Sequence, residues 1–304
     1  MKVLFAVDGS VESADAMRGA LRFLNRNDTQ ADVVCVAPEY LPAMTGWDEG
    51  RLRDRYRHRI LTETQRILTE AKELLQSLGM EARTLPETGP PGGTIVRLAS
   101  EYDVVVVGSS SERDVRHCGL GPVASHVAHH APCSVLVGRR TAGSAGTNGF
   151  RVLVPLDGST ASLRAVDTLA SLVNWQDAEV TLLHVLETPW LHLGLEQDWF
   201  GFEEAELPED DSAVPWQRFL REQAERLLER GRDRLREHHP SVERKIAEGI
   251  PANEILGEVE QGNYDLVVVG ATGASDLKHQ LLGSVSSRLA WHAPCSVLIV
   301  RSKE

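Results

Sequence analysis

The sequence predicts an α/β protein built twice, as two tandem, open, five-stranded parallel-sheet sandwiches. Three observations carry that expectation. Long stretches of the first half return in the second, and each copy alternates short β-branched runs with longer helical patterns. Several of the short runs are also apolar throughout, as parallel strands covered on both faces must be.

The repeat sets the order of the elements. MKVLFAVDGSVESADAMRGAL returns as FRVLVPLDGSTASLRAVDTLA, EYDVVVVG as NYDLVVVG, and HAPCSVLV as HAPCSVLI, so that Asp8 matches Asp157, Tyr102 matches Tyr264 and Cys133 matches Cys295. These matches are more widely spaced in the second copy, which places an insertion between its second strand and the helix that follows. The small, polar stretch TAGSAGTNG reads as a flexible linker. The expected division is a first domain at residues 1–140, a linker at 141–149 and a second domain at 150–304.

Within the second copy RVLVPL, EVTLLHVL, VERKIAEG, DLVVVG and CSVLIV read as strands. DGSTASLRAVDTLASLV opens on a Ser or Thr cap before an apolar stripe of period 3.6, a helix start. Open sheets of this kind bind ligands beyond the carboxyl ends of their strands, where the connections reverse direction. One such end is followed by GATGASDLKHQLLGS, residues 270–284. Gly270 and Gly273 let backbone turn sharply and approach a ligand without Cβ interference. Gly283 and Ser284 then open the helix SVSSRLAWH, whose unpaired N–H groups and dipole make an anion site, with the Ser284 hydroxyl as a further donor. The spacing is neither that of a P-loop nor that of GxGxxG.

Composition narrows the partners. The formal net charge of −12 repels polyanions, which argues against nucleic acid and anionic membrane as default partners. No apolar run approaches the roughly 20 residues of a membrane span. Met1 leads directly into a strand-like run without a signal-peptide pattern, so the expected location is cytoplasmic. Cys35, Cys118, Cys133 and Cys295 show no CxxC spacing and read as reduced, mostly buried thiols. No set of histidines and cysteines has metal-ligand spacing: His129 and His130 adjoin at a helix end, and His238 and His239 precede Pro240. The arginine-rich run at residues 51–59 lies on a predicted helix that spreads its charges around the surface. The insertion at residues 187–217 holds nine carboxylates, no lysine or arginine, and Trp190, Trp199, Phe200, Phe202 and Trp216. It reads as a brace against the first half, a lid or a partner-binding loop.

With these residues in view, the chain resembles the universal stress protein family in its tandem, two-domain form. The resemblance rests on the first-strand DGS, YDLVVVG, the G-x-x-G-9x-G-S signature and the closing HAPCSVLIV. It implies a Rossmann-like fold, of the adenine nucleotide alpha hydrolase-like kind, with strand order 3-2-1-4-5. It also implies two domains paired through their final strands about a pseudo-two-fold axis, and the same strands would serve a homodimer. It implies ATP in the second domain. Asp157 would contact the ribose, Pro155 would line the adenine pocket and Val185 would meet adenine through its backbone. Gly270, Gly273, Gly283 and Ser284 would bind the phosphates, joined by Val285 and Ser286. Mg2+ would come with the triphosphate, held mostly by phosphate oxygens and water, with no dedicated metal ligands in the chain.

The first half departs from the signature. It reads GSSSERDVRHCGLGP, keeping Gly108 and Gly121 but placing Ser111 at the second glycine and Pro122 at the serine. Pro122 has neither the N–H nor the hydroxyl of Ser284, so the first site is expected to be empty, weak or given to another ligand. No residue reads as a catalytic base. The expected function is therefore an ATP-binding regulatory protein of the stress response, with slow ATP hydrolysis and a ligand-independent scaffold as alternatives.

Overall fold

The computed structural model describes residues 1–25, 29–39, 49–109, 119–139, 149–172, 178–187, 213–237, 242–273 and 282–302. In the first half β1 (Lys2–Ala6), β2 (Gln30–Ala37), β3 (Ala82–Thr88), β4 (Val104–Gly108) and β5 (Ser134–Gly138) alternate with α1 (Val11–Phe23), α2 (Glu49–Ser77), α3 (Pro91–Ala99) and α4 (Pro122–His130). The second half repeats the series. Its strands are β6 (Phe150–Pro155), β7 (Ala178–Leu186), β8 (Val242–Glu248), β9 (Leu266–Gly270) and β10 (Ser296–Val300). Its helices are α5 (Thr160–Leu172), α6 (Ala213–Leu235), α7 (Pro251–Gly262) and α8 (Ser284–His292).

All ten strands join in one sheet of order β3-β2-β1-β4-β5-β10-β9-β6-β7-β8. Each half is parallel within itself, and the halves meet in an antiparallel seam with Val135 opposite Ile299, Leu136 opposite Leu298 and Val137 opposite Val297. That seam gives each final strand a ladder partner where it would otherwise present an open edge. The strands left at the outer edges are β3 and β8, and both carry charge on the exposed face; β3 also carries Pro86, a residue that sheets tolerate at an edge.

Successive strand residues point to opposite faces, so the sheet separates two apolar layers. Phe5, Val106, Val154 and Val268 face a layer with Met17, Leu68, Leu169 and Leu228 from α1, α2, α5 and α6. Leu4, Val105, Leu153 and Val267 face the other, with Ile95, Val127, Ile255 and Leu289 from α3, α4, α7 and α8. Cys35, Cys133 and Cys295 are buried thiols within these layers and form no disulfide with one another. Among the described residues no helix is long and apolar enough to cross a membrane. Residues 53–59 lie on α2, and every arginine among them is exposed, as the helical spacing predicts. The seam is reinforced by the Arg22 guanidinium, which donates to Gly149 O at 3.1 Å and pairs with Asp265.

Candidate functional site

The cleft of the second half forms where three parallel strands end. After β6 the chain turns through Asp157 and Gly158, whose φ of +84° is the left-handed conformation that glycine accommodates. The Ser159 N–H donates to Asp157 Oδ1 at 2.9 Å, and Ser159 Oγ accepts from Ser162 N at 3.0 Å to cap α5. This fixes the Asp157 carboxylate at the mouth of the sheet.

Beside it, the ladder between β6 and β7 stops early. Leu156 N donates to Leu183 O at 2.8 Å. In a regular parallel ladder the Leu156 carbonyl would next accept from the Val185 amide. Instead it accepts from His184 Nδ1 at 2.6 Å. The imidazole thus takes the place of a ladder bond beside Val185, which lines the cleft.

After β9 the backbone is held tightly. Gly283 N donates to Ala271 O at 2.7 Å, and Ser286 Oγ donates to Gly270 O at 2.6 Å. The first intrahelical bond of α8 is made by Ser287 N to Gly283 O at 2.8 Å, so the amides of Ser284, Val285 and Ser286 precede the helical ladder. Gly283, with φ −61° and ψ 158°, delivers the chain into the helix in extended conformation. Its own amide is committed to Ala271; the donors facing a ligand are those of α8 and the Ser284 hydroxyl.

The glycines answer to packing as well as to a ligand. A Cβ on Gly270 would lie 2.8 Å from Ala161 C and 2.9 Å from Ala161 O, so α5 could not seat on β9. A Cβ on the matching Gly108 would lie 3.0 Å from Glu12 C and Ser13 N in the α1 backbone. A Cβ on Gly273 would lie 3.1 Å from Asp157 Oδ2. Gly273 has no positive φ, so crowding against the carboxylate, and not backbone conformation, selects glycine there.

Pro155, Asp157, Val185, Gly270, Gly273, Gly283, Ser284, Val285 and Ser286 all line one cleft of ≈ 660 Å³. Among the further lining residues, His184 and Arg288 went unnoticed in the sequence, and Glu187 lines the cleft as well. Arg288 lies one helical turn beyond Ser284 and is the one lysine or arginine among the described lining residues. Lys278, His279, Ser111, Cys118, His238, His239 and Pro240 lie outside the described residues, as do the linker apart from Gly149 and most of the insertion, of which Glu187 and the start of α6 are described. No group of three or more His, Cys, Asp or Glu side chains that could hold a metal ion occurs among the described residues.

A second cleft, of ≈ 390 Å³, occupies the matching place in the first half. Asp8, Val36, Gly108, Gly121 and Pro122 line it. Gly121, with φ −63° and ψ 161°, repeats the Gly283 geometry, and its amide donates to Ser109 O at 2.6 Å. Cys35 stands where the second half has His184. Burial first, and the nearby Asp8 charge second, push its thiol up to about 11, so it is a neutral wall of the cleft. Ser10 N and Ser10 Oγ both donate to Asp8 Oδ1.

The fold and its two clefts define the class: a tandem, doubly wound α/β protein whose half-sheets meet edge to edge. The chain belongs to the universal stress protein family, which it matches twice, over residues 1–139 and 150–301. It is 28% identical over 313 residues to a universal stress protein of Mycobacterium tuberculosis, covering 98% of this chain and 96% of that one. Over 151 residues, 50% of this chain, it is 32% identical to the Bacillus subtilis universal stress protein YxiE and covers 98% of it. The crystal structure of a universal stress protein from Archaeoglobus fulgidus shares the fold across 100% of this chain and 98% of that one, with a TM-score of 0.66 at 18% identity.

Proposed function

We propose that the second cleft binds ATP, with the domain division at residues 141–149, and that the protein acts in the cytoplasm as a nucleotide-responsive regulator of the stress response. The observation that carries this reading is the start of α8. Three successive amides and the Ser284 hydroxyl stand at the positive end of a helix dipole, across the cleft from Asp157 and Val185. The amides and hydroxyl suit phosphate oxygens, with Arg288 adding charge on the same helix. Asp157, oriented by the Ser159 amide, suits ribose hydroxyls as an acceptor. The Val185 amide, beside the ladder bond that His184 replaces, suits an acceptor nitrogen of the base. Mg2+ would reach the site with the triphosphate, held by phosphate oxygens and water.

The test is the nucleotide content of the purified chain. Protein prepared without added ATP is denatured, and the released compounds are identified and quantified by chromatography and mass spectrometry. The expected result is about one ATP per chain, or one bound in calorimetry when Mg-ATP is added, and none in Gly283→Asp. Absence of ATP binding by both routes in folded wild-type protein overturns the reading.

A further inference from the structure

The two clefts keep one end in common and differ at the other. At the common end the turn after the first strand carries Asp8 or Asp157, and the second strand carries Val36 or Val185. Both Ser10 donors engage Asp8 Oδ1, which leaves Oδ2 to accept from a ligand hydroxyl. At the other end α4 begins with Pro122, and Ser125 N already bonds to Gly121 O at 2.8 Å. Only the amides of Val123 and Ala124 therefore precede the helical ladder, against three amides and a hydroxyl in α8.

Charge separates the clefts further. Asp8, Glu12 and Glu63 line the first, with no lysine or arginine among the described lining residues, whereas the second sets Arg288 beside Asp157 and Glu187. A polyphosphate entering the first cleft therefore meets fewer helix-start donors and, among these residues, no cation to offset its charge. A cation finds little uncompensated charge to pair with. Glu63 is bonded to Arg66 at 2.5 Å, and Glu12 lies in the first turn of α1, where the helix dipole balances it. The remaining walls are apolar, built from Ile60, Ile67, Ile95 and Val107, with the neutral Cys35 thiol among them. The space, ≈ 390 Å³, is the smaller of the two.

We propose that the first cleft is a separate site for an uncharged purine nucleoside, adenosine being the probe, held by Asp8 at the sugar and by the end of β2 at the base. The proposal rests on reading Asp157 and Val185 as the nucleoside end of the second cleft. A chain carrying both sites binds a nucleotide triphosphate in one half and the dephosphorylated nucleoside in the other.

The experiment is equilibrium dialysis of labelled adenosine against the full chain in the presence of excess Mg-ATP, with ATP binding measured in parallel. The expected result is one adenosine per chain that ATP does not displace. It is retained in Ser284→Pro and lost in Asp8→Ala, whose fold is checked by circular dichroism. Pro122→Ser, which restores an amide and a hydroxyl, is expected to improve AMP relative to adenosine by about 10²-fold, the lower value for two hydrogen bonds to a charged oxygen. If ATP binds but adenosine does not, this proposal fails and the ATP reading stands. If adenosine binds but Ser284→Pro abolishes it while Asp8→Ala does not, adenosine sits in the second cleft and the proposal fails. If neither ligand binds, both readings fail.

Discussion

Ser284→Pro writes the first half's residue into the second half's helix start, and the structure sets its expected effect. The substitution removes one amide and one hydroxyl aimed at the phosphate position and leaves the amides of Val285 and Ser286. Each hydrogen bond to a charged oxygen is worth about 1.5–3 kcal/mol, so the pair amounts to about 3–6 kcal/mol, or about 10²- to 10⁴-fold in affinity. Folding should be spared. Proline is well tolerated at the first helical position, and Gly283 already has the extended φ of −61° and ψ of 158° that a residue before proline requires. Gly121 holds nearly the same angles, φ −63° and ψ 161°, ahead of Pro122. The assay is calorimetric titration with Mg-ATP, paired with urea denaturation of the same protein. Ser284→Ala, which removes the hydroxyl alone, should fall between wild type and Ser284→Pro. An affinity within threefold of wild type in Ser284→Pro, with an unchanged urea midpoint, would refute the assignment of phosphate to α8.

Four other substitutions probe different links. Arg288→Gln should weaken Mg-ATP binding by about threefold to tenfold, and the salt dependence of affinity should flatten, since the charge is exposed and screened. Gly270→Ala drives a Cβ into the Ala161 backbone at 2.8 Å and should cost about 1–3 kcal/mol in urea unfolding. In Gly257→Ala the new methyl meets nothing within 4 Å inside α7, so that change should add about 0.5–1 kcal/mol. Asp32 supplies a pH dependence: burial raises its carboxyl pKa, but the paired bonds from Arg83 and the Tyr102 hydroxyl outweigh that and hold it below the ordinary carboxylate range. A depressed folded pKa gives stability that is present above the unfolded value and lost as pH falls through the folded one. Tyr102→Phe should therefore destabilise by about 1–2 kcal/mol near neutral pH and move the acid-unfolding midpoint upward, followed by circular dichroism.

The strands, their order along the chain and the α8 start were legible because each is a local pattern: β-branched runs, a repeated DGS turn, a Gly-Ser pair before an apolar stripe. Arg288 was not singled out, since its place one turn beyond Ser284 takes on meaning only once the cleft is formed. Nor was His184, since its bond to Leu156 O joins residues 28 apart and depends on where β6 ends against β7. The duties of the glycines were only half visible. Gly270 and Gly108 survive in both copies because α5 and α1 pack against their strands, a requirement that holds whether or not phosphate is bound. A Cβ at Gly273 would crowd Asp157, so at the position that Ser111 takes in the first half, glycine answers to the carboxylate after the first strand. The contrast in charge between the clefts depends on Glu63 of α2, which no local pattern connects with Asp8.

The same repeat symmetry explains how the halves are held in register. At the end of β5, Arg139 N donates to Ser296 Oγ at 3.1 Å; at the end of β10, Arg301 N donates to Ser134 Oγ at 3.2 Å. Each guanidinium then crosses the seam to the carboxyl end of a helix in the other half. Arg139 donates to Ala290 O in α8 and to Cys295 O at 3.4 Å, and Arg301 donates to Ala128 O and His129 O in α4 at 2.6 and 3.2 Å. These carbonyls lie in the last turns of their helices or just beyond, where helical partners run out and a cation also meets the negative end of the dipole. The helices so capped are the two whose amino ends form the clefts. Each cleft's helix is thus tied at its far end to the opposite half, α8 by Arg139 and α4 by Arg301.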